Sequence, residues 1–227
     1  MIPLITLGDI HRQKPEGAMW VKLLVALGGP DMPFSTRVSL GDIAFSAGAE
    51  DALWCIRALT WRDLAIRRAV VGRCVLPAVR RAAVHAQGRL IYDCITFLDA
   101  WCYGKDVDLQ AAKDAAADAS NKAILDARYA KDAAYMAKIS GDARAALVNS
   151  KKADAPCAAA HAARAFERAA EAALSDDSGE AAKVAASAVW YALEACPRDR
   201  DAAAQAARQD IITASPLWAL AKKETAA

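Results

Sequence analysis

A chain of 227 residues with net charge +2 and 25 % charged residues is long enough to bury a core without covalent staples. The balanced charge excludes a polycation that coats nucleic acid or membranes by charge alone, and the charged fraction fits an ordinary globule and argues against disorder. Alanine dominates from Ala111 onward; it is the strongest helix former and loses no side-chain entropy on burial, so the expected fold is all-α.

Residues 2–7 are apolar but few, and read as a short strand or extended arm. They carry no basic leader region and no small-residue cleavage site, so they do not read as a signal peptide. The stretch 8–17 is polar and broken by Pro15. Residues 18–27 predict a first helix, stopped by Gly28-Gly29-Pro30. That run is far shorter than the roughly 20 apolar residues of a membrane span. The expectation is a cytoplasmic protein with no membrane partner, in the host cytoplasm if a phage encodes it.

Ser39 is placed to cap a short helix ending near Gly48, and another helix begins around Glu50. Thr60-Trp61-Arg62-Asp63 resembles a capping box and opens a longer helix to about Ala86, kinked or split by Pro77 and ended by Gly88. Residues 89–103 place Leu90, Ile91, Cys94, Ile95 and Leu98 at spacings of three and four, one wide apolar face.

Asp108 caps a helix predicted over 109–139. Its seam is Ala112, Ala116, Ala119, Ala123, Ala127, Ala130, Ala134 and Ala137, close to a heptad with one stutter. Ser140-Gly141-Asp142 breaks it. A shorter segment runs to about Ser150, and Asp154-Ala155-Pro156 opens another helix with the stripe Ala159, Ala162, Phe166, Ala169, Ala173. Ala181, Ala185, Ala188, Ala192 and Ala195 repeat the stripe up to Pro197. Asp199 caps a helix to about Thr213, and Ser215-Pro216 starts a last one through Trp218 and Leu220.

Such seams let helix backbones approach closely. They predict an Ala-rich antiparallel helical bundle or a short helical solenoid, with the arm at its N-terminus. Residues 1–104 form an N-terminal helical half with a conventional core that includes Trp20, Phe45, Trp54, Trp61, Phe97 and Trp101. Residues 105–227 form the Ala-rich half, packed with the first as one body. Its few large side chains, among them Ile124, Leu125, Tyr129, Tyr135 and Met136, are expected to plug the seam ends or face the N-terminal core.

No phosphate loop, dinucleotide glycine fingerprint, HExxH or GxSxG motif occurs. His11, His85 and His161 are scattered, and the six cysteines form no CxxC pair. Cys157 and His161 are four apart, which alone does not make a metal site. No catalytic residue, cofactor or metal is therefore assigned, and a binding protein rather than an enzyme is expected. One charge feature stands out: the stretch 61–91 is rich in arginine with only Asp63 opposing. Arg67, Arg68, Arg73, Arg80 and Arg81 are the candidate partner-binding residues, since arginine makes rigid, bidentate contacts with acidic partners and phosphates. The competing reading pairs these arginines with Asp93, Asp99, Asp106 or Asp108, or places them at a domain junction.

Several segments resemble a known family. They are Val38-Ser39-Leu40-Gly41-Asp42-Ile43, then Glu50-Asp51-Ala52-Leu53-Trp54-Cys55-Ile56-Arg57-Ala58-Leu59, then an Arg-rich helix with Cys74 and Pro77. A helix ending in Tyr103-Gly104 follows, then Lys113-Asp114-Ala115-Ala116-Ala117-Asp118-Ala119. Together they look like the helical immunity-protein family of bacterial and phage genomes, over about residues 35–215. The resemblance implies a small cytoplasmic protein that binds and neutralises another protein, either a toxin in an immunity system or a host defence complex in phage counter-defence. It brings no catalytic residues. The expected function is thus a non-enzymatic inhibitor: an immunity protein or a counter-defence factor such as an anti-CRISPR. Nucleic-acid binding and structural or oligomeric assembly are the alternatives.

Overall fold

A computed structural model describes residues 2–59, 61–85, 89–196 and 199–214. The fold is all-α apart from one two-stranded ribbon. The N-terminal arm is pinned, because β1 (Ile5–Thr6) pairs antiparallel with β2 (Arg37–Val38), Ile5 opposite Val38. The polar stretch after it is not an open loop. It holds α1 (Leu7–Arg12), started by a capping box in which Thr6 and Asp9 each satisfy the other's backbone N–H. Leu7 and Ile10 carry its buried face.

Helix α2 (Gly17–Leu27) ends at Gly28 and Gly29, with φ of +129° and +121°, a region that favours glycine. Helix α3 (Leu40–Ser46) opens with a second box: the Ser39 hydroxyl accepts from Asp42 N–H at 3.0 Å, and the Asp42 carboxylate accepts from Ser39 N–H at 2.7 Å. Helix α4 (Ala49–Trp54) tightens into a 3-10 turn, Cys55–Ala58.

The Arg-rich rod follows as α5 (Leu64–Val70), a π turn (Val71–Val75) and α6 (Leu76–Ala83). Asp63 is its cap, accepting from Ala65 N–H at 2.8 Å. Thr60 and residues 86–88 lie outside the described residues, and with them the first member of the expected box and the helix end at Gly88. Pro77 has no N–H to donate, and the backbone widens into the π turn just before it, so Pro77 enters α6 in its first turn. In that turn a Cβ on Gly72 would lie 3.1 Å from both Cβ and Sγ of Cys102. The rod and α7 (Leu90–Cys102) therefore meet almost backbone to backbone.

Helices α8 (Leu109–Ile139) and α9 (Ala143–Leu174) form a long antiparallel hairpin, each spanning roughly 45 Å at 1.5 Å per residue. Asp108 caps α8 through Ala111 N–H, and Asp142 caps α9 through Ala145 N–H. All eight seam alanines of α8 are buried or half-buried. Ser120 is buried among them, its hydroxyl donating to the Ala160 carbonyl at 3.4 Å, which requires close helix axes. The expected break of the second strand of the hairpin does not occur: residues 143–174 are one helix with Pro156 inside it. Packing along the seam holds the helix through the backbone bond that proline removes.

Helix α10 (Ser178–Glu194) is capped by Asp177 and packs along α9, then against α4, α6 and the 3-10 turn; α11 (Arg200–Ala214) closes on α3 and the π turn. Elements distant in sequence thus converge on α9 and α10, which is a bundle rather than a serial stack. The expected last helix through Trp218 and Leu220 lies outside the described residues.

One core cluster runs through both halves, from Leu7 and Trp61 to Phe166 and Ile211. The Trp61 indole N–H donates to the Ser175 carbonyl at 3.1 Å across them. Trp61 and Trp101 are core residues as expected, but Phe45 and Phe97 are exposed. No helix among the described residues is long and apolar enough to cross a membrane.

Candidate interaction surface

The five candidate arginines share one rod but not one outward face. Arg67 donates to the Ser175 carbonyl at 2.6 Å and pairs with Asp176 at 2.9 Å. Arg68 lays its guanidinium over the Trp101 ring, 5.5 Å from the centroid. Arg80 pairs with Asp99 at 2.7 Å, and Arg81 with Asp210 at 2.6 Å. Arg73 is exposed and makes no ion pair among the described residues. Four of the five spend their charge inside the chain, and two of those ion pairs tie the N-terminal half to the C-terminal half. Asp99 is a partner the sequence suggests; Asp176 and Asp210 are more than 100 residues away from their arginines, and no local pattern points to them.

Burial disfavours the thiolate at five of the six cysteines. Burial pushes Cys74 and Cys102 up to about 12, and raises Cys55, Cys94 and Cys196 as well. All six cysteines are free. His161 packs against Tyr191 and Trp190, with ring centroids 5.9 and 6.4 Å away, and burial lowers its pKa, which favours the neutral form. Among the described residues no three His, Cys, Asp or Glu side chains converge as metal ligands.

The exposed apolar residues point elsewhere. Between residues 121 and 158 only Ala127 and Ala153 are buried. The outer part of the hairpin therefore buries little beyond its own alanine seam. The large side chains expected to plug that seam face solvent instead. Leu125, Tyr129, Met136 and Ile139 are 51–69 % exposed, and Ile124, Tyr135, Leu147 and Val148 are exposed beside them. Leu125, Tyr129, Asp132, Met136 and Ile139 follow steps of 4, 3, 4 and 3, which places them in one stripe on the side of α8 opposite the seam. An alanine seam admits no side chain of this size, so the bulky residues are sorted to the other face. An exposed apolar stripe of this kind, interrupted here by Asp132, is the sort of surface that other proteins bind.

The charge around the stripe is one-sided. Residues 121–155 carry seven basic and four acidic side chains. None of them makes an ion pair among the described residues, and one of the four carboxylates, Asp142, is occupied as a helix cap. The outer hairpin is thus an arm with an apolar stripe that Asp132 interrupts and a border in which basic side chains outnumber acidic ones. Its stripe could be found from heptad spacing alone; its exposure could not, because apolar residues at regular spacing ordinarily signal burial.

Comparison of the chain with protein-family models, curated proteins and solved structures finds no match.

Proposed function

We propose that this chain is a non-enzymatic inhibitor that works by binding another protein, in the manner of an immunity protein or a phage counter-defence factor, and that it grips its partner with the outer part of the α8–α9 hairpin. The supporting observation is the exposed stripe Leu125–Tyr129–Met136–Ile139 opposite a seam that is already satisfied. The occupant is an acidic amphipathic helix of the partner. Its apolar residues interdigitate with the stripe as in a two-stranded coiled coil, and its carboxylates meet the basic border. A second copy of this chain fits less well, because it would set one basic border against another.

The test uses two synthetic 21-residue helices with leucine at the a and d positions, one bordered by glutamate and the other by lysine. The glutamate helix should bind, more weakly as salt is raised, and Leu125→Asp with Met136→Asp should abolish binding while leaving the fold intact. Equal binding of both helices, or binding unchanged by the two substitutions, would defeat the assignment. In cells, the partner is the protein captured by the wild type and lost by the double variant, and its activity should be blocked on reconstitution.

Nucleic-acid binding is a second reading, favoured only by the basic excess on the arm. It predicts a complex at low salt that survives loss of Leu125 and Met136. An assembly role predicts a dimer or larger species in light scattering that the same two substitutions dissociate.

A further inference from the structure

Away from the arm, α4, α10 and α11 frame an open cleft of about 410 Å³. The helices meet there through Gly48, Ala186, Ala204 and Ala207, side chains too small to fill the space between three axes. Its floor is Leu53, Val189 and Leu193. Trp190, 46 % exposed, walls one side and is steadied by Tyr191 at 4.9 Å between ring centroids. A concave apolar site of this volume with a few polar groups at its mouth is the ordinary form of a small-ligand pocket.

The polar groups at the mouth decide the ligand's charge. Arg208 is already engaged: its Nε donates to the Ala44 carbonyl at 2.8 Å, its Nη2 donates to the Phe45 carbonyl, and the guanidinium lies over the Phe45 ring. Glu50 makes no ion pair among the described residues and borders two further hollows. One hollow brings Glu16 and Asp51 beside Lys22. The other carries Arg57 and Lys183, but Arg57 lies over the Trp54 ring at 5.1 Å and Lys183 is 3.7 Å from Glu180. Arg208 and Lys183 thus have their donors engaged within the chain, Arg57 has only the Trp54 ring and its buried Nε makes no hydrogen bond, and Glu16, Glu50 and Asp51 share Lys22. Burial raises the Asp51 carboxyl above its usual range, and Glu50 and Glu16 add to the rise against Lys22, consistent with under-compensated negative charge.

We propose that this cleft binds a small apolar amine, its hydrocarbon body seated on Leu53, Val189 and Leu193 beside the Trp190 ring and its ammonium on the Glu50 carboxylate. A free amine and the N-terminal residue of a peptide carry the same chemistry. The site uses different helices from the binding arm, so either proposal can fail alone.

The experiment titrates the ¹⁵N-labelled full chain and follows the Ala186 and Ala204 amides. The probes are 2-phenylethylamine, 3-phenylpropanoate, and the peptide Leu-Ala-Ala-Ala with a free or an acetylated N-terminus. The amine should shift both amides saturably, and the acid should bind about tenfold more weakly. Ala204→Phe, which fills the cavity, should abolish the shifts. Glu50→Gln, at an exposed position that leaves the fold undisturbed, should bring amine and acid within about twofold of each other. Tighter binding of the free-N-terminus peptide than of the amine identifies a peptide end as the ligand; the reverse identifies a free amine. No saturable shift with any probe, equal affinity for amine and acid in the wild type, or discrimination that persists in Glu50→Gln overturns the proposal.

Discussion

Arg81 on α6 meets Asp210 on α11 at 2.6 Å, both side chains only a quarter to a third exposed. This pair joins residues 129 positions apart and closes α11 onto the Arg-rich rod. A charge-assisted bond at a half-buried junction is worth more than a surface pair. Arg81→Ala and Asp210→Ala should each destabilise the chain by about 1–2 kcal/mol in urea melts, with non-additive losses in the double variant. Arg73→Ala, on the same rod but unpaired and exposed, should change stability by no more than about 0.5 kcal/mol. Equal losses at Arg73 and Arg81 would mean that the arginines act through helix propensity and not through the junction.

The close approach of the π turn to α7 sets a second expectation. A Cβ at residue 72 would fall 3.1 Å from Cys102 Cβ and Sγ, and both elements are packed on their far sides. Gly72→Ala should therefore cost about 1–3 kcal/mol, although alanine is ordinarily the better helix residue. Thermal denaturation reads this directly. A stabilised Gly72→Ala variant would show that the two helices are free to move apart.

Which parts of this molecule were legible in the sequence follows from the range of the forces that build them. Ser39 and Asp108 act within one turn of their own helices, and residue type with spacing suffices to find them; Asp142 and Asp177 cap in the same way, although Ser140-Gly141-Asp142 reads only as a break. The seam of α8 was equally readable, because its period matches the helix. The capping box of α1 hides in a polar stretch that resembles a loop. Pro156 reads as a helix start because proline suits a first turn; the structure retains it mid-helix, where seam packing on either side outweighs the lost backbone bond. Asp176, Asp210 and the cleft beside Trp190 depend on elements brought together only by the finished bundle, and no local pattern encodes them. The outward face of the large side chains on α8 is not legible, since nothing in a one-dimensional pattern says which of two apolar faces is already covered.

Pro156 itself supplies a third expectation. It removes an N–H that would otherwise donate to the Lys152 carbonyl, in the stretch where the arm leaves the body. Pro156→Ala restores that bond and relieves the proline ring against the preceding turn. It should raise stability by about 1–3 kcal/mol and slow hydrogen exchange at residues 152–160. If the melting temperature falls instead, the proline is packed in the cavity it lines with Ala159 and Ala163 more favourably than the backbone bond it displaces.

The buried thiols predict how stability responds to alkaline pH. The Cys74 thiol is raised from 9.0 to about 12, chiefly by burial, with Asp210 adding to it against Arg73. Below pH 9 the thiol is protonated in both folded and unfolded chains, and its titration contributes nothing to the slope. Between pH 9 and about 12 the unfolded chain loses the proton while the folded chain keeps it, so the folded state binds more protons and stability falls as pH rises. The loss is about 1.4 kcal/mol per pH unit for a fully buried thiol. Cys102 adds a loss of the same sign over the same window. Urea melts at pH 8, 9, 10 and 10.5 should show this decline, and Cys74→Ala, less stable at pH 8, should show a shallower one. A wild type and a Cys74→Ala variant with parallel pH profiles would mean that the folded chain ionises this thiol as readily as the unfolded one, and that residue 74 is not sealed from water as α6, α11 and the π turn place it.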